Sequence, residues 1–221
     1  MIRAVFFDLF ETLITEWENG KKKASYSTHK LGLDTNVFSK EWKLCKALQT
    51  IGKYPNYSSA IIDIAKNNNV YVDKMLLEFL EQERIEGKSK PFLTIESDII
   101  FTLQELKNKQ IKIGLISNCT HEDITAWESS ELAPYFDDVI FSFNAGVAKP
   151  NQEIYKLACE RLNVKPEFCL FIGDGGSNEL QGATEFGMKA YQATWFQPRR
   201  ISEKVSKYPK LEKSSHILDI I

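Results

Sequence analysis

Four short stretches of this 221-residue chain carry side chains able to do chemistry. The first is Asp8, which ends the apolar run Ala4-Val5-Phe6-Phe7 and precedes Leu9-Phe10-Glu11-Thr12-Leu13. A carboxylate at the end of a buried run is costly unless paired or metal-bound. There it can attack an electrophilic centre and form a covalent intermediate. The second is Ser117-Asn118, after Lys112-Ile113-Gly114-Leu115-Ile116, where a hydroxyl and an amide suit anionic oxygens. The third is Lys149-Pro150, whose ammonium could neutralise a phosphate or a crowd of carboxylates. The residue before a proline is pushed toward extended backbone, so Lys149 is not expected in a helix. The fourth is Gly173-Asp174-Gly175-Gly176-Ser177-Asn178-Glu179. Oxygen ligands on such a loop suit a hard cation such as Mg2+, which takes one or two protein carboxylates beside waters and phosphate. Each stretch also has a plainer reading. Asp8 and Ser117-Asn118 are good turn formers and helix caps, Lys149 a surface lysine, and the glycine-rich loop a turn with an N-cap.

These residues need elements that bring them together. Short runs rich in Val, Ile and Phe, at 4–7, 111–116, 138–143, 168–172 and 188–193, have the length and composition of buried strands. Between them, 95–109, 152–162 and 178–186 carry apolar residues at helical spacing, the last ending at Gly187 as a C-cap. Alternation of this kind predicts an α/β fold with a parallel sheet covered by helices on both faces. Ligands of such sheets bind beyond the carboxyl ends of the strands, where Asp8, Ser117-Asn118, the turn before Lys149 and Gly173-Asp174 should converge. The stretch 16–90 differs. It has helical spacing (Ile61, Ile62, Ile64, Ala65; Met75, Leu76, Phe79, Leu80), punctuation at Pro55 and Pro91, and no clear buried strand. It reads as a helical insert of about four helices. Residues 217–221 suggest a closing short strand or helix.

Bulk properties exclude several classes. The net charge is -2, from 28 basic and 30 acidic residues, so nothing draws the chain to nucleic acid or an anionic membrane. Lys21-Lys22-Lys23 and Arg199-Arg200 read as solvated surface. No apolar run reaches a membrane span. Cys45, Cys119, Cys159 and Cys169 form no CxxC pair and read as reduced thiols, which points to the cytoplasm.

In order and spacing, Asp8, Ser117-Asn118, Lys149-Pro150 and Gly173-Asp174 resemble the four motifs of the haloacid dehalogenase superfamily. The resemblance covers residues 3–13 and about 95–195, and the insert is similar to the helical cap of the subfamily whose cap follows the first motif. It implies a Rossmann-like three-layer αβα core, 1–15 and 92–221, with a smaller helical cap, 16–91. It also implies a phosphatase acting on a small phosphorylated metabolite through an aspartyl phosphate on Asp8, as a monomer or homodimer. Magnesium would be held by Asp8, the backbone carbonyl of Phe10 and Asp174, with Glu179 a ligand directly or through water. Thr12 would hydrogen-bond near Asp8, Ser117 and the backbone of Asn118 would hold phosphoryl oxygens, and Lys149 would stabilise their charge.

One position departs from the phosphatase pattern. The family's acid/base aspartate, two residues past the nucleophile, is here Phe10, which cannot transfer a proton. Glu11 and Glu122 are near in sequence, Glu11 being expected toward the cap opening or solvent. An aromatic at this place also resembles the metal-free 2-haloacid dehalogenases, but those carry serine where this chain has Asp174. A low-turnover binding or regulatory protein on the same fold is the third reading. For substrate contacts, the cap offers Trp17, Tyr26, His29, Trp42, Tyr54 and Tyr57, most of them expected in its core, and His121 lies just past Ser117.

Overall fold

The computed structural model describes residues 1–18, 21–22, 27–54 and 56–221, so Lys23, Tyr26 and Pro55 lie outside the described residues. The chain opens with Ala4–Phe7 (β1), followed by a two-stranded ribbon of Trp17–Glu18 (β2) and Lys21–Lys22 (β3). Three helices come next: Thr35–Gln49 (α1), Tyr57–Asn67 (α2) and Lys74–Ser89 (α3). The alternating part then runs Ser97–Asn108 (α4), Lys112–Ser117 (β4), Asp138–Phe141 (β5), Ser142–Ala145 (α5), Gln152–Arg161 (α6) and Cys169–Gly173 (β6). It closes with Glu179–Phe186 (α7), Lys189–Ala193 (β7), Arg199–Ser202 (α8) and Lys210–Leu211 (β8).

The six-stranded sheet has the order β5-β4-β1-β6-β7-β8, and every neighbouring pair is parallel. All four residues of β1 are buried, because helices cover both faces. Val5 and Phe7 pack on one face with Ile99, Leu103 and Leu106 of α4. Ala4 and Phe6 pack on the other with Ile154, Tyr155 and Ala158 of α6 and Leu180 and Ala183 of α7. This is the expected three-layer α/β core.

Three details differ from the sequence expectation. β5 stops at Phe141, since the chain winds at Ser142 into α5, which ends on left-handed Gly146. β8 has two residues, too few to show a period. The tail forms a 3-10 helix at Ser214–Asp219, starting earlier than the apolar residues suggested.

Among the described residues the insert holds three α-helices rather than four. The stretch before α1 is the β2–β3 ribbon and a 3-10 turn, Thr28–Leu31, closed by left-handed Gly32. Side chains of Asp34, Asn56 and Asp73 cap the three helices by accepting backbone N–H groups of the first turn. The helices share small clusters of their own, built on Leu31, Tyr57, Ile61 and Leu80 and on Cys45, Ala60 and Ile64. Among the described residues no helix is long and apolar enough to cross a membrane.

Candidate active site

The nucleophile candidate sits where the sheet stops. The Asp8 N–H makes the last ladder bond to the Ile172 carbonyl at 2.8 Å. The chain then curls, and the Leu9 carbonyl accepts the N–H groups of Thr12, Leu13 and Ile14 at 3.4, 2.9 and 3.1 Å. Glu11 takes a left-handed φ of 62° within this curl. Its carboxylate does not face the cap opening or solvent, as the sequence suggested. It is buried and accepts from the Thr15 hydroxyl at 2.6 Å and the Glu16 N–H at 3.2 Å. Glu11 therefore braces the loop, because the left-handed backbone turns its side chain inward.

Lys149 is far from a surface lysine. Its side chain is 1% exposed and its ammonium donates to both Asp8 and Glu179. Asn118 fixes it by two bonds: Asn118 Nδ2 donates to the Lys149 carbonyl at 2.8 Å, and Asn118 Oδ1 accepts the Lys149 N–H at 2.8 Å. The amide side chain of Asn118 thus serves Lys149. Glu179 also accepts the Gly175 N–H at 3.2 Å, and its own carbonyl takes the Tyr155 hydroxyl at 2.7 Å. Gly173 is needed here, since a Cβ would run into the Glu179 carboxylate. Asp174 accepts the Gly176 N–H at Oδ1, 2.8 Å, and the Gln197 amide at Oδ2.

Asp8, Asp174 and Glu179 each offer a carboxylate oxygen, and these oxygens lie within 4.8 Å of one another. Burial pushes the Asp8 carboxyl up, and neighbouring Asp174 adds to this against the pull of Lys149. Burial pushes Glu179 well above the usual carboxylate range, with Asp8 adding to it. Burial alone would lower the Lys149 ammonium, but Asp8 and Glu179 outweigh it and hold the group charged. Three carboxylates, two of them buried, share one ammonium, which leaves an excess of formal negative charge. The residues present therefore fit a divalent cation, whose charge would settle the raised carboxyls.

Thr12 and Ser117 are fully buried, and neither hydroxyl has a hydrogen-bond partner. Buried polar groups are rarely left so, and two orphan hydroxyls at the strand ends suit oxygen atoms of a ligand. Phe10 packs half-buried against the core, and Lys88 Nζ of α3 lies 4.8 Å from its ring centroid. Lys88 pairs with Glu16 at 2.6 Å and lies 3.7 Å from Asp123, and Arg84 meets Asp123 at 2.7 Å, all four buried. Glu122 is also buried, accepting the Tyr57 N–H that opens α2 at 2.5 Å.

This seam of charges between α3 and the loops after β1 and β4 was missed in the sequence. Its signal was present but weak: Arg84 and Lys88 lie four apart on one helix face, and Glu122-Asp123 follow the Ser117 motif. Gln197 had no signal at all. Other candidates are not brought together with Asp8. His29 and His121 are exposed, His121 packing edge-on to Phe143. Trp42 stacks on Phe38 and meets Tyr57 edge-on, in the small core of the insert. The Cys119 thiol is buried, and burial pushes its pKa up.

With this geometry in place, comparison with known proteins decides the family. A family model described as haloacid dehalogenase-like hydrolase matches residues 2–187. The chain belongs to that family. As a haloacid dehalogenase-like hydrolase it has phosphatases among its relatives. It is 27% identical over 210 residues to glyceraldehyde 3-phosphate phosphatase of Methanopyrus kandleri, covering 85% of this chain and 82% of that protein. It is 26% identical over 223 residues to pyrophosphatase PpaX of Bacillus mycoides, covering 100% and 97%. Its fold matches 2-haloacid dehalogenase of Pseudomonas syringae pv. tomato, with TM-score 0.69, 20% identity and coverage of 100% and 98%. It also matches a family enzyme of Bacteroides thetaiotaomicron in complex with magnesium and inorganic phosphate, with TM-score 0.65, 19% identity and coverage of 88% and 95%.

Proposed function

We propose that this haloacid dehalogenase-like hydrolase is a magnesium-dependent phosphatase of a small phosphorylated metabolite, with Asp8 as the nucleophile. The observation that carries the reading is the cluster of buried Asp8 and Glu179 and half-buried Asp174, three carboxylates with only Lys149 paired to two of them. The phosphatase names of relatives spanning most of the chain support it. Magnesium held by Asp8, the Phe10 carbonyl and Asp174 would offset the repulsion between nucleophile and phosphate. Glu179 already spends its oxygens on Lys149 and the Gly175 N–H, which favours an outer place for it, through water.

In this reading an Asp8 oxygen attacks phosphorus, the bond to the leaving oxygen breaks, and water then hydrolyses the aspartyl phosphate. The Ser117 hydroxyl and the Asn118 N–H donate to phosphoryl oxygens, with the orphan Thr12 hydroxyl a further donor to the ligand. Lys149, kept cationic by its two carboxylates, holds the charge that develops on those oxygens. Residues 16–91 act as the cap over a core of 1–15 and 92–221, with the Arg84–Lys88 seam as the closing contact. Phe10 supplies no proton to the departing oxygen. The reaction therefore favours leaving groups that depart as anions.

Purified protein assayed with para-nitrophenyl phosphate and with chloroacetate, each with magnesium or chelator, tests the proposal. Magnesium-dependent phosphate release, absent in Asp8→Asn, is expected. Halide release indifferent to chelator would replace the proposal by dehalogenation. Neither release nor magnesium binding would leave a binding protein on the same fold.

A further inference from the structure

β7 and the segment after it touch three parts of the site at once. Trp195 Nε1 donates to the Thr12 carbonyl in the nucleophile loop at 2.9 Å. Gln192, fully buried in β7, donates to the Asp174 carbonyl at 3.1 Å and to the Ser202 carbonyl at 3.0 Å, tying the Asp174 backbone to α8. Val205 lies against Gly175, where any Cβ would come within 2.8 Å of its side chain. From this same segment the Gln197 amide reaches Asp174 Oδ2.

The three carboxylates of the site are held in two different ways. Asp8 and Glu179 are held by the ammonium of Lys149. No ion pair to Asp174 is seen among the described residues. Its two oxygens instead take one N–H each, from Gly176 and from Gln197. A donor on each oxygen fixes the plane of the carboxylate, and each oxygen keeps a second lone pair for another partner. Both donors are uncharged, so they orient Asp174 without neutralising it. An ammonium in the place of the Gln197 amide would fix the same carboxylate while cancelling the charge that attracts a cation.

We propose that Gln197 is a positioning residue of the cation site, its amide holding Asp174 turned toward Asp8 and thereby setting the affinity for a divalent ion. This rests on the magnesium-dependent reading above. Groups that orient metal ligands from behind typically contribute about 10- to 100-fold in metal affinity.

The test is calorimetric titration of Mg2+ into metal-stripped protein, with Gln197→Met, Gln197→Asn and Asp174→Asn beside the wild type. Gln197→Met keeps the length of the side chain and removes the donor. It should weaken Mg2+ binding about 10- to 100-fold, with an unchanged melting temperature in chelator. Wild-type affinity in this variant overturns the proposal. Should Gln197→Met fail to fold, Gln197→Asn decides in its place, since its amide is withdrawn by one methylene and the same loss is expected. Asp174→Asn separates the two levels. If it binds Mg2+ as the wild type does, or if the wild type binds none, the cation assignment itself fails and the role of Gln197 falls with it.

Discussion

At the scale of single residues, the site sets one unusual side chain among ordinary ones. Phe10 lies where no proton can be passed, so the rate should depend steeply on the leaving group. Phe10→Asp should raise kcat on an alkyl phosphate by about 10²-fold or more, the usual reach of acid–base help, and change para-nitrophenyl phosphate turnover far less. Steady-state kinetics on the two substrates check this, and equal gains on both would contradict it. A second consequence concerns charge. The Asp8 carboxyl is raised in the folded protein, so folding favours its protonated form. Its contribution is present below the ordinary carboxylate pKa and declines as pH rises through the raised folded value. In chelator, the melting temperature of the wild type relative to Asp8→Asn should therefore fall as pH climbs from about 4 toward neutrality. Added Mg2+ should narrow the gap. Asp8, Asp174, Lys149 and Ser117 were legible in the sequence because each ends or follows an apolar run. Glu11 was misplaced because its left-handed backbone, which turns the side chain inward, leaves no mark in composition.

At the scale of elements, helical spacing and short apolar runs found the alternating half of the chain to within a residue or two. They failed where an element is too short to have a period, as in β8 and the β2–β3 ribbon, or where a turn intervenes, as at Ser142. The site depends on links between elements that no period shows. Asn118, at the end of β4, holds the backbone of Lys149 between β5 and α6 by two hydrogen bonds. Asn118→Ala removes both and leaves buried groups without partners, a cost of about 1–3 kcal/mol. Urea unfolding should register that loss. Under the proposed function kcat should fall more than KM rises, because the lysine it displaces acts on charge present chiefly in the transition state.

At the scale of the whole molecule, α3 meets the loops after β1 and β4 through buried charge. Arg84 and Lys88 face Asp123 and Glu16 in a buried seam. Burial alone would raise the Asp123 carboxyl, but Arg84, Lys88 and Lys46 outweigh it and hold the pKa well below the usual range. Its contribution to stability is thus present above the ordinary aspartate pKa and lost only as pH falls below about 4 toward the depressed folded value. Arg84→Met strands part of that charge and should cost about 3–5 kcal/mol at pH 7, with a smaller deficit at pH 3, both read by denaturant unfolding. The sequence showed this seam only faintly, because its partners come from three distant segments and each looks like solvated surface in isolation. The sheet order carries one more consequence. β1, which delivers Asp8, lies between β4 and β6, whose residues follow it by more than a hundred positions. A nascent chain leaving the ribosome therefore presents β1 with both edges bare until β4 emerges, and with one edge bare until β6 does. Non-local pairing of this kind is slow and exposed to aggregation, so the strand end that carries Asp8 is secured only after β4 and β6 have both been made.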